Sequence, residues 1–416
     1  MTPDILFTII LIIIIAGFVF DQWINYLNTT TRSNILPEAL KGFYDEATYS
    51  RQQEYEKVNS KFSLVSDIFS FAAILGMLFL GGFAWIDELV RSWSGSAILQ
   101  SIFFFCILGF ASDLLGLPFS IYNTFVIEER FGFNKTTPKT FILDKLKGWL
   151  LAAVVGGGIL SLIVFIYEKS GSWFWLLAWI SISIFTLFIS YFYTTLLVPI
   201  FNKLTPLPAG ELRDAIEQVA TRADFSLKDI SIMDGSKRST RGNAYFSGFG
   251  RKKSIVLFDT LVQEHSVDEL AAVLAHEIGH YKKKHVLKGL VSGTLQTGIL
   301  LFVLSLLLKS PLPAQSLGAT VQSFHMSVVA FGILYSPVSM ILGIMFNSIS
   351  RKHEYEADRF AVGLSKPGAL QEALKRLSVK NLSNLTPHPW YVFIHYSHPA
   401  LLQRLAAISR HESIIK

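Results

Sequence analysis

The sequence predicts an α-helical, polytopic membrane protein: seven transmembrane helices carrying a small α+β cap on the cytoplasmic side. Three observations carry this. Of the 416 residues, 51% are hydrophobic and only 16% are charged, and the mean hydropathy is +0.43, values of a multi-span membrane chain. Seven stretches are long and apolar enough to cross a hydrocarbon core about 30 Å thick. Basic residues collect in alternate connections between them. The net charge of +6 fits basic cytoplasmic loops, so nucleic acid is not expected as a partner. Cys106 is the only cysteine, which excludes an internal disulfide and a metal site built from several thiolates.

The first apolar stretch is Ile5–Leu27. Asp4 stands where a signal peptide has its basic region, and no small-residue cleavage site follows, so the stretch reads as a retained helix. Next come Leu64–Trp85, Ile98–Tyr122, Trp149–Tyr167 and Trp173–Phe201, and later Val286–Leu308 and Phe324–Ile349. In the fourth, Gly156-Gly157-Gly158 marks either close packing of helices, where small residues let backbones approach, or a flexible point. The first connection carries Arg32, Lys41, Arg51, Lys57 and Lys61, and the third Arg130, Lys135, Lys139, Lys145 and Lys147. The second, fourth and sixth carry only Arg91, Lys169 and Lys309. Seven crossings then place the N-terminus outside or in the lumen and the C-terminus in the cytoplasm. On that topology the sequons at Asn28, Asn134, Asn381 and Asn384 stay unglycosylated. Asp113, inside the third stretch, needs a wet surrounding or a partner.

The expected organisation is helices one to five in 1–201, the cap in 202–284, helices six and seven in 285–349, and a cytoplasmic C-terminal region in 350–416. Within the cap, Pro206 and Pro208 end the membrane helix and Ala209–Ala223 has helical periodicity. Asp229–Met233 and Ser254–Phe258 read as short strands, with Asn243–Ser247 ahead of the second. Ser266 and Glu269 form a capping box that starts a helix over Leu270–Lys284. That helix runs almost directly into the sixth span, at the cytoplasmic membrane boundary.

It carries His276-Glu277-Ile278-Gly279-His280. Histidines four apart project from one helical face, so both imidazoles reach one ion, and Glu277 is left to act on a water. Zinc is the expected metal, one per chain, because imidazole and carboxylate suit it and a catalytic zinc keeps one position open. Two histidines leave such a site one protein ligand short. Glu354-Tyr355-Glu356-Ala357-Asp358 returns to the same boundary after the seventh span. Glu354 and Asp358 share a helix face, so that one ligates while the other hydrogen-bonds a ligating histidine, and Glu356 points elsewhere. A solvated charged helix with Arg351, Lys352 and Arg359 is the competing reading; the ligand-deficient histidine pair at the same level favours the metal.

These residues carry a resemblance to the CAAX prenyl protease 1 family, membrane zinc endopeptidases that remove the C-terminal tripeptide of prenylated proteins. It covers nearly the whole chain. It rests on Leu117-Pro118 through Asn134, including Tyr122–Glu129, and on Asn243-Ala244-Tyr245-Phe246 followed by Ile255–Thr260. It rests also on the HEIGH motif, on Glu354–Asp358, and on His395-Tyr396-Ser397-His398-Pro399 with Arg404. Gln403 departs from it, since an acidic residue is expected before the arginine. The resemblance implies seven helices around a large intramembrane chamber with the zinc site under a cytoplasmic cap. It implies His276, His280 and Glu354 as ligands and Glu277 as catalytic base, with Asn243, His398 and Arg404 around the substrate; Asp358 is placed behind the ligands.

The partners implied are membrane lipid and a peptide or protein substrate, prenylated in this family. The membrane is the inner membrane of a prokaryote or the ER of a eukaryote, with the active site toward the cytoplasm. His398 suits an oxyanion donor. Arg404 suits either a substrate carboxylate or a structural ion pair. Asn243–Phe246 suits either strand addition by an extended peptide or an ordinary edge strand. His285 is expected at the interface rather than on the metal, and His395 is the one other histidine worth testing. Two rival readings are a quality-control zinc protease for misfolded membrane proteins and a non-catalytic scaffold or transporter; the intact Glu277 argues against the second.

Overall fold

Apolar length dictates most of the architecture. The computed structural model describes residues 1–227, 229–247 and 254–415. Among them six helical stretches are long and apolar enough to cross a membrane: Pro3–Thr30, Glu46–Phe79, Ala97–Glu128, Pro138–Phe201, His285–Leu307 and Phe324–Val362. Their outer faces expose Ile12, Leu115, Leu187, Ile299 and Ile341, a surface suited to lipid, which helices can meet because their backbone bonds are satisfied internally.

The run from Pro138 to Phe201 has 64 residues, far more than one crossing needs. It turns at Gly171, where φ is +52°, a conformation that glycine adopts without a side-chain clash. Its arms, Gly157–Ser170 and Phe174–Phe192, pack against one another; the fourth and fifth expected crossings, Trp149–Tyr167 and Trp173–Phe201, overlap them and extend past them into π-helical turns. The sequence count of seven treats these arms separately. The glycine triplet is not a close-packing site: a methyl added at Gly156, Gly157 or Gly158 would meet nothing within 4 Å. A π-helical turn, Ala152–Gly156, runs into it instead.

The expected span Leu64–Trp85 is corrected. Its helix stops at Phe79; Gly81, with φ +64°, starts a separate amphipathic helix, Gly82–Trp93, that buries Phe83, Ile86 and Val90. Hydropathy does not register a residue that reverses the backbone, so the two apolar segments read as one. Asp113 has its partners, Lys145 Nζ at 2.7 Å and Trp149 Nε1 at 2.9 Å.

The cap holds a four-stranded sheet, β1 (Leu204–Pro206), β2 (Asp229–Met233), β3 (Ala244–Ser247) and β4 (Ser254–Phe258), in the order β1-β2-β4-β3. β2 and β4 are parallel and the edge pairs antiparallel. β1 ends on Pro206, which edge position tolerates because no inner ladder bond is lost. Ile255, Val256 and Leu257 of β4 are fully buried, and Ile255 and Leu257 pack with Leu270 and Leu274 of the histidine helix. That helix spans Val267–Lys282 and opens on the capping box of Ser266 and Glu269. It does not run on into the next span: Lys284 takes φ +59° and a new helix, His285–Leu307, starts after it.

The last long helix, Phe324–Val362, has 39 residues and so is about 58 Å long at 1.5 Å per residue. It outruns the hydrocarbon core by several turns, and the excess carries Glu354–Asp358. The histidine helix lies against this end through small residues, with Ala272, Ala275 and Ala361 fully buried in one cluster. The two helices come close at Gly279, where an added methyl would sit 3.2 Å from the Ala357 Cα and 3.1 Å from Phe360 Cδ1. Gly279→Ala is therefore expected to push the two helices apart and lower stability by about 1–3 kcal/mol, read as a lower Tm in detergent. Gly109→Ala, with nothing within 4 Å, is the matched substitution and should leave Tm unchanged or slightly raised.

Candidate active site

The Gly279–Ala357 contact brings three side chains together. His276 and His280, one turn apart, face each other with Nε2 atoms 3.1 Å apart. Glu354 reaches both, with Oε2 at 3.4 Å from His276 Nε2 and Oε1 at 3.1 Å from His280 Nε2. One donor atom from each of the three lies within 4.8 Å of the others. The Glu354 Oε2 atom is buried without a hydrogen bond and has only longer ion-pair contacts, 3.4 Å to His276 Nε2 and 3.4 Å to Arg404 Nη1, so it retains capacity for a further cation. Two imidazoles and a carboxylate, one oxygen of it without a hydrogen bond, fit a metal ion that keeps a free position.

Asp358, one turn beyond Glu354, places Oδ1 2.9 Å from His276 Nδ1. Arg404 grips the same carboxylate at two points, Nε to Oδ2 at 2.9 Å and Nη2 to Oδ1 at 2.5 Å, and its Nη1 is 3.4 Å from Glu354 Oε2. Gln403 thus does not deprive Arg404 of an acidic partner; Asp358 supplies it. Burial works against a charged His276, but its contacts with Asp358 and Glu354 outweigh that and raise its pKa to about 9. A metal must therefore displace a proton there. Glu277 is pushed above the ordinary carboxylate range by burial, with the two imidazoles opposing the shift; that direction suits a group that takes and returns a proton near neutral pH.

His398 stands at the rim, its Nε2 3.4 Å from Glu354 Oε1 and its Nδ1 2.9 Å from Ser397 Oγ. A cleft of about 580 Å³ opens beside it, lined among others by Tyr55, Arg241, His395, His398 and Arg404. Asn243 is exposed ahead of β3, where its Oδ1 accepts from the Ala244 N–H at 2.8 Å; no contact joins it to the histidines among the described residues. His395 packs on Tyr391 and shares the cleft without joining the cluster.

Two groups escape sequence reasoning. His285 is 5% exposed and contacts His280, which the αL residue Lys284 makes possible and no helical periodicity signals. Glu128, at the end of the third long apolar helix, accepts from Tyr55 Oη at 2.6 Å and Arg241 Nη2 at 3.2 Å, tying that helix to the cap over a separation that no local pattern reveals.

Comparison with known proteins agrees along the whole length. Residues 25–203 match the model of the CAAX prenyl protease N-terminal region, described as five membrane helices, and residues 206–412 match peptidase family M48. The chain is 34% identical to CAAX prenyl protease 1 of Saccharomyces cerevisiae, over 95% of this chain and 93% of that one. It is 32% identical to the human CAAX prenyl protease 1 homolog, over 91% and 89%. The crystal structure of S. mikatae Ste24p superposes with a TM-score of 0.91 at 33% identity, covering 97% of this chain and 99% of that one. The chain belongs to the CAAX prenyl protease 1 family and, through its C-terminal half, to peptidase family M48: it is a multi-pass membrane metalloendopeptidase.

Proposed function

We propose that the protein is a zinc endopeptidase that cuts near the C-terminus of prenylated proteins, from seven membrane crossings and with its active site toward the cytoplasm. The observation that carries this reading is the convergence of His276, His280 and Glu354, whose Oε2 is buried without a hydrogen bond, beneath the cap. Sidedness rests on the basic first and third connections. The substrate class follows the relatives, which are named for CAAX processing.

His276, His280 and Glu354 would hold the zinc, which when bound would supply the Lewis acidity that makes water a nucleophile at neutral pH and draws charge from the scissile carbonyl. Glu277 takes the proton from the attacking water and returns it to the leaving amine. Asp358, steadied by Arg404, fixes the His276 ring through its Nδ1. His398, beside Glu354, donates to the developing oxyanion. The edge of β3, which pairs as a strand only with β4 among the described residues, accepts an extended peptide as a further strand. Asn243 at its start and Arg404 in the cleft flank that peptide.

Glu277→Gln should keep its zinc and lose roughly 10²- to 10⁴-fold in turnover, measured on purified protein with metal content determined in parallel. Turnover equal to the parent would remove the proton-transfer role. Matched peptides with and without the prenyl group separate the proposal from a general quality-control protease: the first requires strong preference for the prenylated peptide, the second equal cleavage. No cleavage of either by zinc-loaded protein would favour a non-catalytic scaffold.

A further inference from the structure

The metal reading leaves His280 needing support on its far side, since a ligating imidazole is ordinarily oriented through its other nitrogen. His276 has Asp358. No carboxylate touches His280 Nδ1 among the described residues; the atom that does is His285 Nδ1, at 3.1 Å. His285 Nε2 lies 3.1 Å from Glu356 Oε2. Its ring is stacked on His353, with centroids 3.9 Å apart and planes 10° from parallel. We infer that His285 and Glu356 form a positioning relay that holds His280 toward the metal.

Two facing Nδ1 atoms form a hydrogen bond only if one carries the proton and the other a lone pair. The Glu356 carboxylate accepts the proton on His285 Nε2, leaving the lone pair of that neutral ring on Nδ1. His285 Nδ1 then accepts the Nδ1–H of His280. The remaining lone pair of His280 is on Nε2, the atom that faces His276 Nε2 and Glu354 Oε1, each at 3.1 Å. Each ring carries one proton throughout. The two ligating imidazoles thus rest on carboxylates of the same helix, one directly and one through a third imidazole.

The backbone supports this. Residues five apart on an unbroken α-helix point about 140° away from each other, so His285 would miss His280. The left-handed Lys284 turns the chain between them and brings the two Nδ1 atoms together, with the ring planes 75° apart. Glu356, which does not share the face of Glu354 and Asp358, thereby acquires a partner.

The relay rests on the metal site proposed above, and the test separates the two. Zinc affinity of the full-length protein in detergent is measured by chelator competition, and the visible spectrum of the cobalt-substituted protein reports ligand geometry. His285→Phe keeps the stacked ring but cannot accept, and should weaken zinc binding roughly 10- to 100-fold with an altered cobalt spectrum. His285→Asn places a carbonyl oxygen near the Nδ1 position and should recover most of that loss. Glu356→Leu, whose native side chain is 33% exposed, should also weaken binding several-fold, and it decides the matter if His285→Phe does not fold. Parent-like zinc affinity and cobalt spectrum in Glu356→Leu and in folded His285→Phe would overturn the relay alone. A parent protein that binds no zinc would overturn both the relay and the metal site.

Discussion

The structure depends on how closely two helices approach. At Gly279 the histidine helix has no side chain, and at Ala357 the long C-terminal helix has only a methyl, so their backbones meet within one small side chain. With that spacing, a glutamate on one helix reaches two imidazoles on the other at 3.1 and 3.4 Å. A larger residue at either position would leave the same donors present but unable to share an ion. The alanines around this contact (Ala272, Ala275 and Ala361) extend the approach along the helices and exclude water behind the site.

Charge accounts for the rest of the arrangement. Glu277, Glu354 and Asp358 gather around a single guanidinium, that of Arg404. Buried carboxylates in excess of cations are unfavourable unless further positive charge is supplied. Once the His276 proton is displaced, two excess negative charges match one divalent ion, which agrees with a Glu354 Oε2 that makes no hydrogen bond. Arg404 is then best understood as fixing Asp358 and steadying Glu354 at the wall of the cleft. The membrane helices place this cluster by length: the last one is long enough to span the bilayer and still present its acidic end to the cap.

What could be read from the sequence was what is locally encoded. Apolar runs marked the helices, β-branched runs marked β2 and β4, and the Ser266–Glu269 box marked the start of the histidine helix, whose two histidines one turn apart fall on one face. Reversals of the backbone were not legible. Gly81 divides an apolar stretch that hydropathy treats as continuous, and Lys284, a residue with no preference for positive φ, separates the histidine helix from the next span. Contacts between distant segments were equally hidden. Nothing near Glu128 announces Arg241, and nothing near Glu356 announces His285. The glycine triplet gave a pattern with two meanings, and its open surroundings decide against close packing.

The most direct test is anomalous X-ray scattering at the zinc edge from crystals of catalytically active protein. The account predicts one peak about 2.0–2.2 Å from a nitrogen of His276, a nitrogen of His280 and an oxygen of Glu354. A peak elsewhere, or none among these side chains in protein that still cleaves peptide, would contradict it.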